Sequence, residues 1–258
     1  LTRGFIFDLD GTVYLGEQLI EGAAEAIATL KQRGDKVVYL TNKSISSRMD
    51  YVEKLKGLGI EVGLDEVINS NFITAKFLKQ FLETGEAALV IGEQPLLEEL
   101  ADEGIPITRD AKQARVVVLG WDRQFNYEKI NLAFQAWLNK ATIIATNPDR
   151  TCPVLGGEIP DCGAMIGALE GATGQRIESI TGKPSKWMAE YVVSKVLKLH
   201  PSQCYMVGDR LETDIKMAIE NGLQSVLVLT GVTNKEMLSN SLHKPSFVID
   251  SIKEVVAL

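Results

Sequence analysis

Phe5-Ile-Phe-Asp-Leu-Asp-Gly-Thr12 is the stretch that decides the fold. Its apolar start reads as a buried strand, and Asp10-Gly11-Thr12 reads as the turn that ends it. Outward from there, Glu21 to Gln32 has helical spacing, with Ala24, Ile27, Ala28 and Leu30 on one side and Gly34 closing it. Lys36 to Leu40 is the next strand, with Thr41-Asn42 at its C-terminal end. Ser46 to Lys56 and Phe72 to Leu82 read as helices. Strand, helix, strand, helix is the order of a parallel sheet with right-handed crossovers.

A second alternating run follows. Ala88 to Ile91, Val116 to Leu119 and Thr142 to Ala145 read as strands. Pro95 to Glu103, Tyr127 to Leu138 and Ala164 to Ala172 read as helices. Gly182-Lys183-Pro184 precedes a helix from about Ser185 to Leu197. The strand Cys204 to Val207 then ends in Gly208-Asp209. After a helix to Asn221 come strands at Ser225 to Leu229 and Phe247 to Ile249, and a short last helix. These are too many elements for one sheet of ordinary size. The reading is an α/β fold of two layers, a Rossmann-like parallel-sheet core with a smaller α/β domain inserted. The core is assigned residues 1–79 and 181–258, and the insertion 80–180.

The 258 residues carry 27 basic and 34 acidic side chains, a formal charge of −7. An acidic chain is a poor match to nucleic acid or a membrane surface, both of which call for basic patches. At 45% apolar and 24% charged, the composition is that of a globular protein rather than a disordered one. No apolar run approaches the ~20 residues that span a bilayer. The chain starts at Leu1 with no basic-then-apolar leader segment. Cys152, Cys162 and Cys204 are odd in number and lack C-x-x-C spacing, so neither a disulfide framework nor a zinc site is expected. A cytoplasmic location fits best.

The chemistry gathers at strand ends, where open parallel sheets bind ligands. Asp8 and Asp10 follow one apolar strand. Two carboxylates about 4 Å apart repel by roughly 4 kcal/mol at an effective dielectric of ~20, so a proton, a basic side chain or a divalent cation must offset them. A solvated turn is the plainer reading of this motif taken alone. Gly208-Asp-Arg-Leu-Glu-Thr-Asp214 places Asp209 at another strand end, with Asp214 five residues on in the next helix start. There Asp214 could accept backbone N–H bonds or orient a metal's water shell, or simply serve as a helix-start aspartate. Oxygen ligands with no His or Cys beside them select a hard ion, Mg²⁺ first. Thr41-Asn42 could hold phosphate oxygens, and Lys183 supplies a fixed positive charge, unless it is an ordinary surface lysine.

Other chemistries lack their residues. Gly182-Lys183 is no phosphate-binding P-loop, because Ile177 stands where the first Gly is needed and Pro184 where Ser or Thr is needed. No G-x-G-x-x-G opens a βα unit. His200 and His243 read as surface residues, leaving no support for a Ser-His-Asp system.

D-x-D-G-T after the first strand, Thr-Asn after a later one, a distant Lys and then G-D-x-x-x-T-D together resemble the haloacid-dehalogenase-like superfamily. The likeness covers essentially the whole chain. The long insertion resembles the large α/β cap of the p-nitrophenylphosphatase and phosphoglycolate phosphatase branch, as do Ala145-Thr-Asn-Pro-Asp149 and the later Gly-Lys-Pro. Ile144-Ala-Thr-Asn147 and Met165-Ile-Gly-Ala168 are similar to the sugar-phosphate phosphatases of bacterial arabinose operons.

The resemblance implies an Mg²⁺-dependent phosphatase of small phosphorylated metabolites, with a homodimer allowed. It implies Asp8 as nucleophile and Asp10 as general acid and base. It implies Mg²⁺ on the Asp8 and Asp209 side chains and the Asp10 carbonyl, with Asp214 behind. It implies Thr41 and the Asn42 backbone on the phosphoryl group, and Lys183 bridging Asp8 and phosphate. The branch often has a second Asn after Thr-Asn. Lys43 stands there, either adding positive charge for substrate or facing solvent. Asn147, Asp149, Arg150, Asp161 and Cys162 are the cap residues placed to select the leaving group, Asp161 alternatively capping a helix. Phosphoglycolate, pyridoxal phosphate and nucleotides stay open as substrates. A phospho-acceptor signalling module is the remote alternative, being about half this length and lacking a cap. An idle binding protein on the same fold is a further one.

Overall fold

Five-residue apolar runs such as Gly4-Phe-Ile-Phe-Asp8 are buried on both faces, which only the centre of a parallel sheet allows. In the computed structural model, which describes residues 2–154 and 156–258, that strand is central to a six-stranded sheet. The sheet order is Phe247–Ile249, Gln224–Val228, Cys204–Gly208, Gly4–Asp8, Lys36–Thr41, Val67–Asn69. The chain forms two units. One comprises Leu1–Thr41, Arg48–Ile68 and Lys183–Leu258, and the other Asn42–Ser47 and Asn69–Gly182.

In the first unit, Gly4–Asp8 pairs in parallel with Lys36–Thr41 on one side and Cys204–Gly208 on the other. The chain leaves the central strand toward one edge and later returns to fill the opposite edge. The gap between Gly4–Asp8 and Cys204–Gly208 is therefore a topological switch point, where strand ends form a crevice. Phe5 and Phe7 lie two residues apart and so on one face, packed with Ile27, Leu30, Tyr39 and Val207. Helix Ala23–Gln32 supplies Ala23, Ala26, Ile27 and Leu30 to that core. A small hairpin, Tyr14–Leu15 with Gln18–Leu19, follows the first strand.

The second unit has its own parallel sheet, in the order Ile107–Thr108, Ala87–Ile91, Ala114–Leu119, Thr142–Ala145. Its faces bury separate cores. Leu89, Val117 and Leu119 pack with Ala133, Met165 and Leu169 on one side. Ala88, Val116 and Val118 pack with Ala75, Leu78, Leu96 and Leu100 on the other. Thr151–Val154 and Gly157–Pro160 form an antiparallel hairpin ahead of helix Cys162–Thr173.

The expected strands and helices of both layers are present within a few residues of their read bounds. The segment read as one helix from Ser185 to Leu197 is an α-helix only over Lys186–Glu190, then widens to a π-helix over Tyr191–Leu197. Val67–Asn69, Ile107–Thr108 and both hairpins went unread, being two to four residues long.

Candidate active site

The register of the central strands brings the first two acidic motifs together. Phe7 lies opposite Val207, so the two strands end level, and Asp8 and Asp209 emerge at the same carboxyl edge. After Asp8 the backbone turns sharply. The Leu9 carbonyl accepts N–H bonds from Thr12, Val13 and Tyr14 at 3.2, 2.9 and 3.3 Å. Gly11 permits that turn with φ +85°, a conformation that L side chains rarely adopt. Asp10 stands half-exposed on it.

Asp214 arrives by a different route. Leu211–Ile215 is a π-helical turn, wider than an α-turn, and the Asp214 Oδ2 accepts the Arg210 N–H at 3.1 Å across it. Carboxylate oxygens of Asp8, Asp209 and Asp214 lie within 4.8 Å of one another, and all three residues are buried. Lys183 joins them. Its Nζ is 2.5 Å from Asp8 Oδ1, 2.8 Å from Asp214 Oδ1 and 3.5 Å from the Leu40 carbonyl oxygen. The residue that could have been a surface lysine is only 2% exposed. The Lys183–Pro184 peptide is cis.

Crowded like charges in a dry pocket raise carboxyl pKa values. Burial pushes the Asp209 carboxyl well above the usual range, the charges of Asp8 and Asp214 add to this, and the Val232 N–H (2.6 Å from Oδ2) opposes it. Burial likewise pushes Asp214 up to about 6, with Lys183 pulling it down and Asp8 pushing it up. Burial alone would lower the Lys183 pKa, but Asp214 and Asp8 together outweigh it and hold the ammonium above the ordinary lysine range.

The cluster fits a hard divalent cation. Its donors are all carboxylate oxygens, and Asp209 Oδ1 is buried with no hydrogen-bond partner among the described residues. A buried carboxylate oxygen left unpartnered in this way is costly without a proton or a cation.

The remaining expected residues fall into two places. Thr41 is buried at the end of its strand in the first unit. Asn42 and Lys43 belong to the second unit, Asn42 buried and Lys43 half-buried. There too lie buried Asn147, Asp161 and Cys162, half-buried Asp149 and exposed Arg150. Asp161 caps helix Cys162–Thr173, its Oδ1 accepting the Cys162 N–H at 2.5 Å. All three cysteines are buried.

A family model described as haloacid dehalogenase-like hydrolase matches residues 5–106, and a HAD-hydrolase-like model matches residues 180–255. The sugar-phosphatase AraL of Bacillus subtilis (strain 168) is 40% identical over 255 residues, covering 99% of this chain and 92% of that one. The chain belongs to the haloacid dehalogenase-like hydrolases. This hydrolase superposes on the p-nitrophenyl phosphatase from Archaeoglobus fulgidus with TM-score 0.92 at 35% identity, over 100% of this chain and 99% of that one. It superposes on glycerol phosphate phosphatase Rv1692 from Mycobacterium tuberculosis, solved in complex with magnesium, with TM-score 0.89 at 28% identity, over 98% and 76%. Within the family it is a phosphatase of the p-nitrophenylphosphatase branch.

Some residues that build this hydrolase's site were not singled out from its sequence. Gly231 is among them, and the structure gives Gly208 of the quoted motif its reason. A Cβ on Gly208 would strike the Asp214 carboxylate, and one on Gly231 would strike that of Asp209. Within the second unit, the buried triplet Asn69-Ser70-Asn71 is likewise not legible, because polar residues ahead of a helix are ordinarily solvated.

Proposed function

We propose that this phosphatase hydrolyses small phosphomonoesters, sugar phosphates and related metabolites, with Mg²⁺ and through an aspartyl-phosphate intermediate. The observation that carries the reading is the Asp8 carboxylate at a strand end, 2.5 Å from the Lys183 ammonium and grouped with Asp209 and Asp214. The sugar-phosphatase and p-nitrophenyl phosphatase likenesses support the substrate class.

Asp8 serves as nucleophile. One of its carboxylate oxygens attacks phosphorus, the bond from phosphorus to the ester oxygen breaks, and Asp10 gives its proton to the departing alkoxide. Asp10, now ionised, takes a proton from water. The resulting oxygen attacks the same phosphorus, the acyl-phosphate bond breaks, and inorganic phosphate and the Asp8 carboxylate are released. Lys183 stays charged throughout and steadies negative charge on Asp8 and on the phosphoryl group. Thr41 and the Asn42 backbone N–H hold phosphoryl oxygens, and Lys43 adds positive charge toward the substrate. Asp8, Asp209 and the Asp10 carbonyl would hold Mg²⁺, with Asp214 supporting them. When bound, the ion supplies charge that lets an anionic nucleophile approach a phosphate dianion.

Purified protein with Mg²⁺ is expected to release phosphate from p-nitrophenyl phosphate and from members of a sugar-phosphate panel. Asp8→Asn is expected to abolish that release while the protein stays folded. Retained turnover in Asp8→Asn would remove the nucleophile, and no release from any compound by the wild-type protein would overturn the function.

A further inference from the structure

Residues 42–47 are stitched into the second unit at every second residue. The Asn42 carbonyl accepts from Ser70 Oγ at 2.7 Å, the Ser44 carbonyl from Asn71 Nδ2 at 3.0 Å, and the Ser46 carbonyl from Asn69 Nδ2 at 3.2 Å. Ser44 Oγ accepts the Trp121 N–H at 2.9 Å. Asn69, Ser70 and Asn71 are fully buried, so these bonds form away from water, where an orphaned partner is expensive.

The side chain of Asn42 has a separate anchor. Its Nδ2 donates to Asp149 Oδ2 at 2.9 Å. The same oxygen accepts from Asn147 Nδ2 at 3.0 Å, and that amide also reaches Asp161 Oδ1 at 3.1 Å. The Asp149 main-chain carbonyl accepts the Gly163 N–H at 2.7 Å. A Cβ on Gly163 would come within 2.8 Å of that carbonyl oxygen and 3.0 Å of Arg150 Cα, so the loop packs against the helix start. Asp149 is thus fixed on the second unit's own framework, and one of its oxygens gathers two amides. Asn42 is held at both its side chain and its carbonyl, which fixes the frame of its Cα and with it the position of its main-chain nitrogen.

We propose that Asp149 is a positioning residue for phosphoryl binding. Its carboxylate orients Asn42, and through Asn42 the main-chain N–H assigned above to the phosphoryl group. This role rests on the phosphatase reading. It differs from selection of the leaving group by Asp149, because the phosphoryl group is common to all substrates. Positioning through Asn42 therefore gives the same loss on every ester. Direct contact with a leaving group gives losses that vary with the ester.

The test is a double-mutant cycle on the full chain with Mg²⁺: Asp149→Ala, Asn42→Ala and both together. The readouts are kcat and KM on p-nitrophenyl phosphate and on ribose 5-phosphate, and the inhibition constant of inorganic phosphate. Hydrogen bonds to a charged group set the scale at about 10- to 100-fold. Asp149→Ala is expected to weaken phosphate inhibition and to lower kcat/KM on both esters by one common factor in that range. Asn42→Ala should match it, and the double variant should lose no more than either single one. Asp149→Asn, which keeps an acceptor oxygen, should recover most of the loss and covers the case in which the alanine variant fails to fold. A purely structural role would lower the melting temperature and leave the phosphate constant of the folded protein unchanged. That result, multiplicative losses in the double variant, or losses differing between the two esters would each overturn the positioning role. Inactivity of the wild-type protein on both esters would instead refute the phosphatase reading and this role with it.

Discussion

Lys183→Met removes one positive charge and keeps an unbranched apolar stem in the same space. In the wild-type protein the ammonium is 2.5 Å from Asp8 and 2.8 Å from Asp214, with 3% of its side chain exposed. At an effective dielectric of ~20, an ion pair at such distances is worth about 6 kcal/mol before desolvation. Desolvation cancels much of this, and breaking a buried pair by deleting one partner costs about 3–5 kcal/mol, because the other charges stay behind. Here three carboxylates stay behind.

That cost depends on pH in a defined direction. Asp214 is at about 6 while Lys183 pulls it down, and Asp209 also stands above its usual range. Deleting the ammonium pushes the Asp214 carboxyl further up. Between the wild-type value near 6 and the higher value in the variant, the folded variant binds a proton that the folded wild type does not. The stability deficit of the metal-free variant is therefore largest at high pH. It shrinks as pH falls, by about 1.4 kcal/mol per unit for each extra proton carried. Below pH 6 the wild type takes up its own proton and the two curves run parallel. Urea unfolding in EDTA at pH 9, 7.5 and 6 is expected to give a deficit of about 3–5 kcal/mol at pH 9 and about 1 kcal/mol at pH 6. A deficit that is flat across this range, or that grows as pH falls, would refute the claim that Lys183 neutralises the cluster.

The wild-type protein should itself respond to cation and acid as alternatives. Magnesium is expected to raise the melting temperature at pH 7.5 and to do so less at pH 5, below the value of about 6 at which Asp214 takes up a proton; scanning fluorimetry at both pH values measures this, and no magnesium-dependent shift at either would remove the cluster as a cation site. Gly208→Ala is expected to lower stability by about 1–3 kcal/mol through overpacking, because the new methyl meets the Asp214 carboxylate. Urea denaturation checks it, and an unchanged midpoint would show that the carboxylate has room to move.

Legibility followed burial. The central strands read easily because a parallel strand covered on both faces is an unbroken apolar run, as in Phe5-Ile6-Phe7 and Tyr205-Met206-Val207. Asp8 and Asp209 stood out as the acidic residues at the ends of those runs. Short elements did not read: Val67–Asn69 has three residues, too few to show a period. Nor did the burial of Lys183, since neither its type nor its Gly-Lys-Pro setting shows that Asp8 and Asp214 enclose it. Asp214 reads as an ordinary helix start because no residue pattern marks the π-helical turn that carries it, and Asp8, which it meets, lies about 200 residues away. Asn69-Ser70-Asn71 fails for the same reason: its hydrogen bonds run back more than 20 residues.

The glycines around the cluster show why its charges have to be neutralised where they stand. Gly11 and Gly231 leave no space for a Cβ against the Asp209 carboxylate, and Gly208 leaves none against that of Asp214. Backbone walls the two acids in, so neither can swing to solvent to escape the other or Asp8. When all three are ionised, a single ammonium leaves two negative charges over, opposed weakly by Arg210 acting on Asp209. Only small charged species can relieve this without moving the backbone. A proton does so at the expense of a carboxylate, whereas a dication matches the excess and consumes no carboxylate. In the mechanism proposed above, Asp8 attacks as a carboxylate, so relief of the cluster by a dication rather than by a proton is the arrangement that mechanism requires.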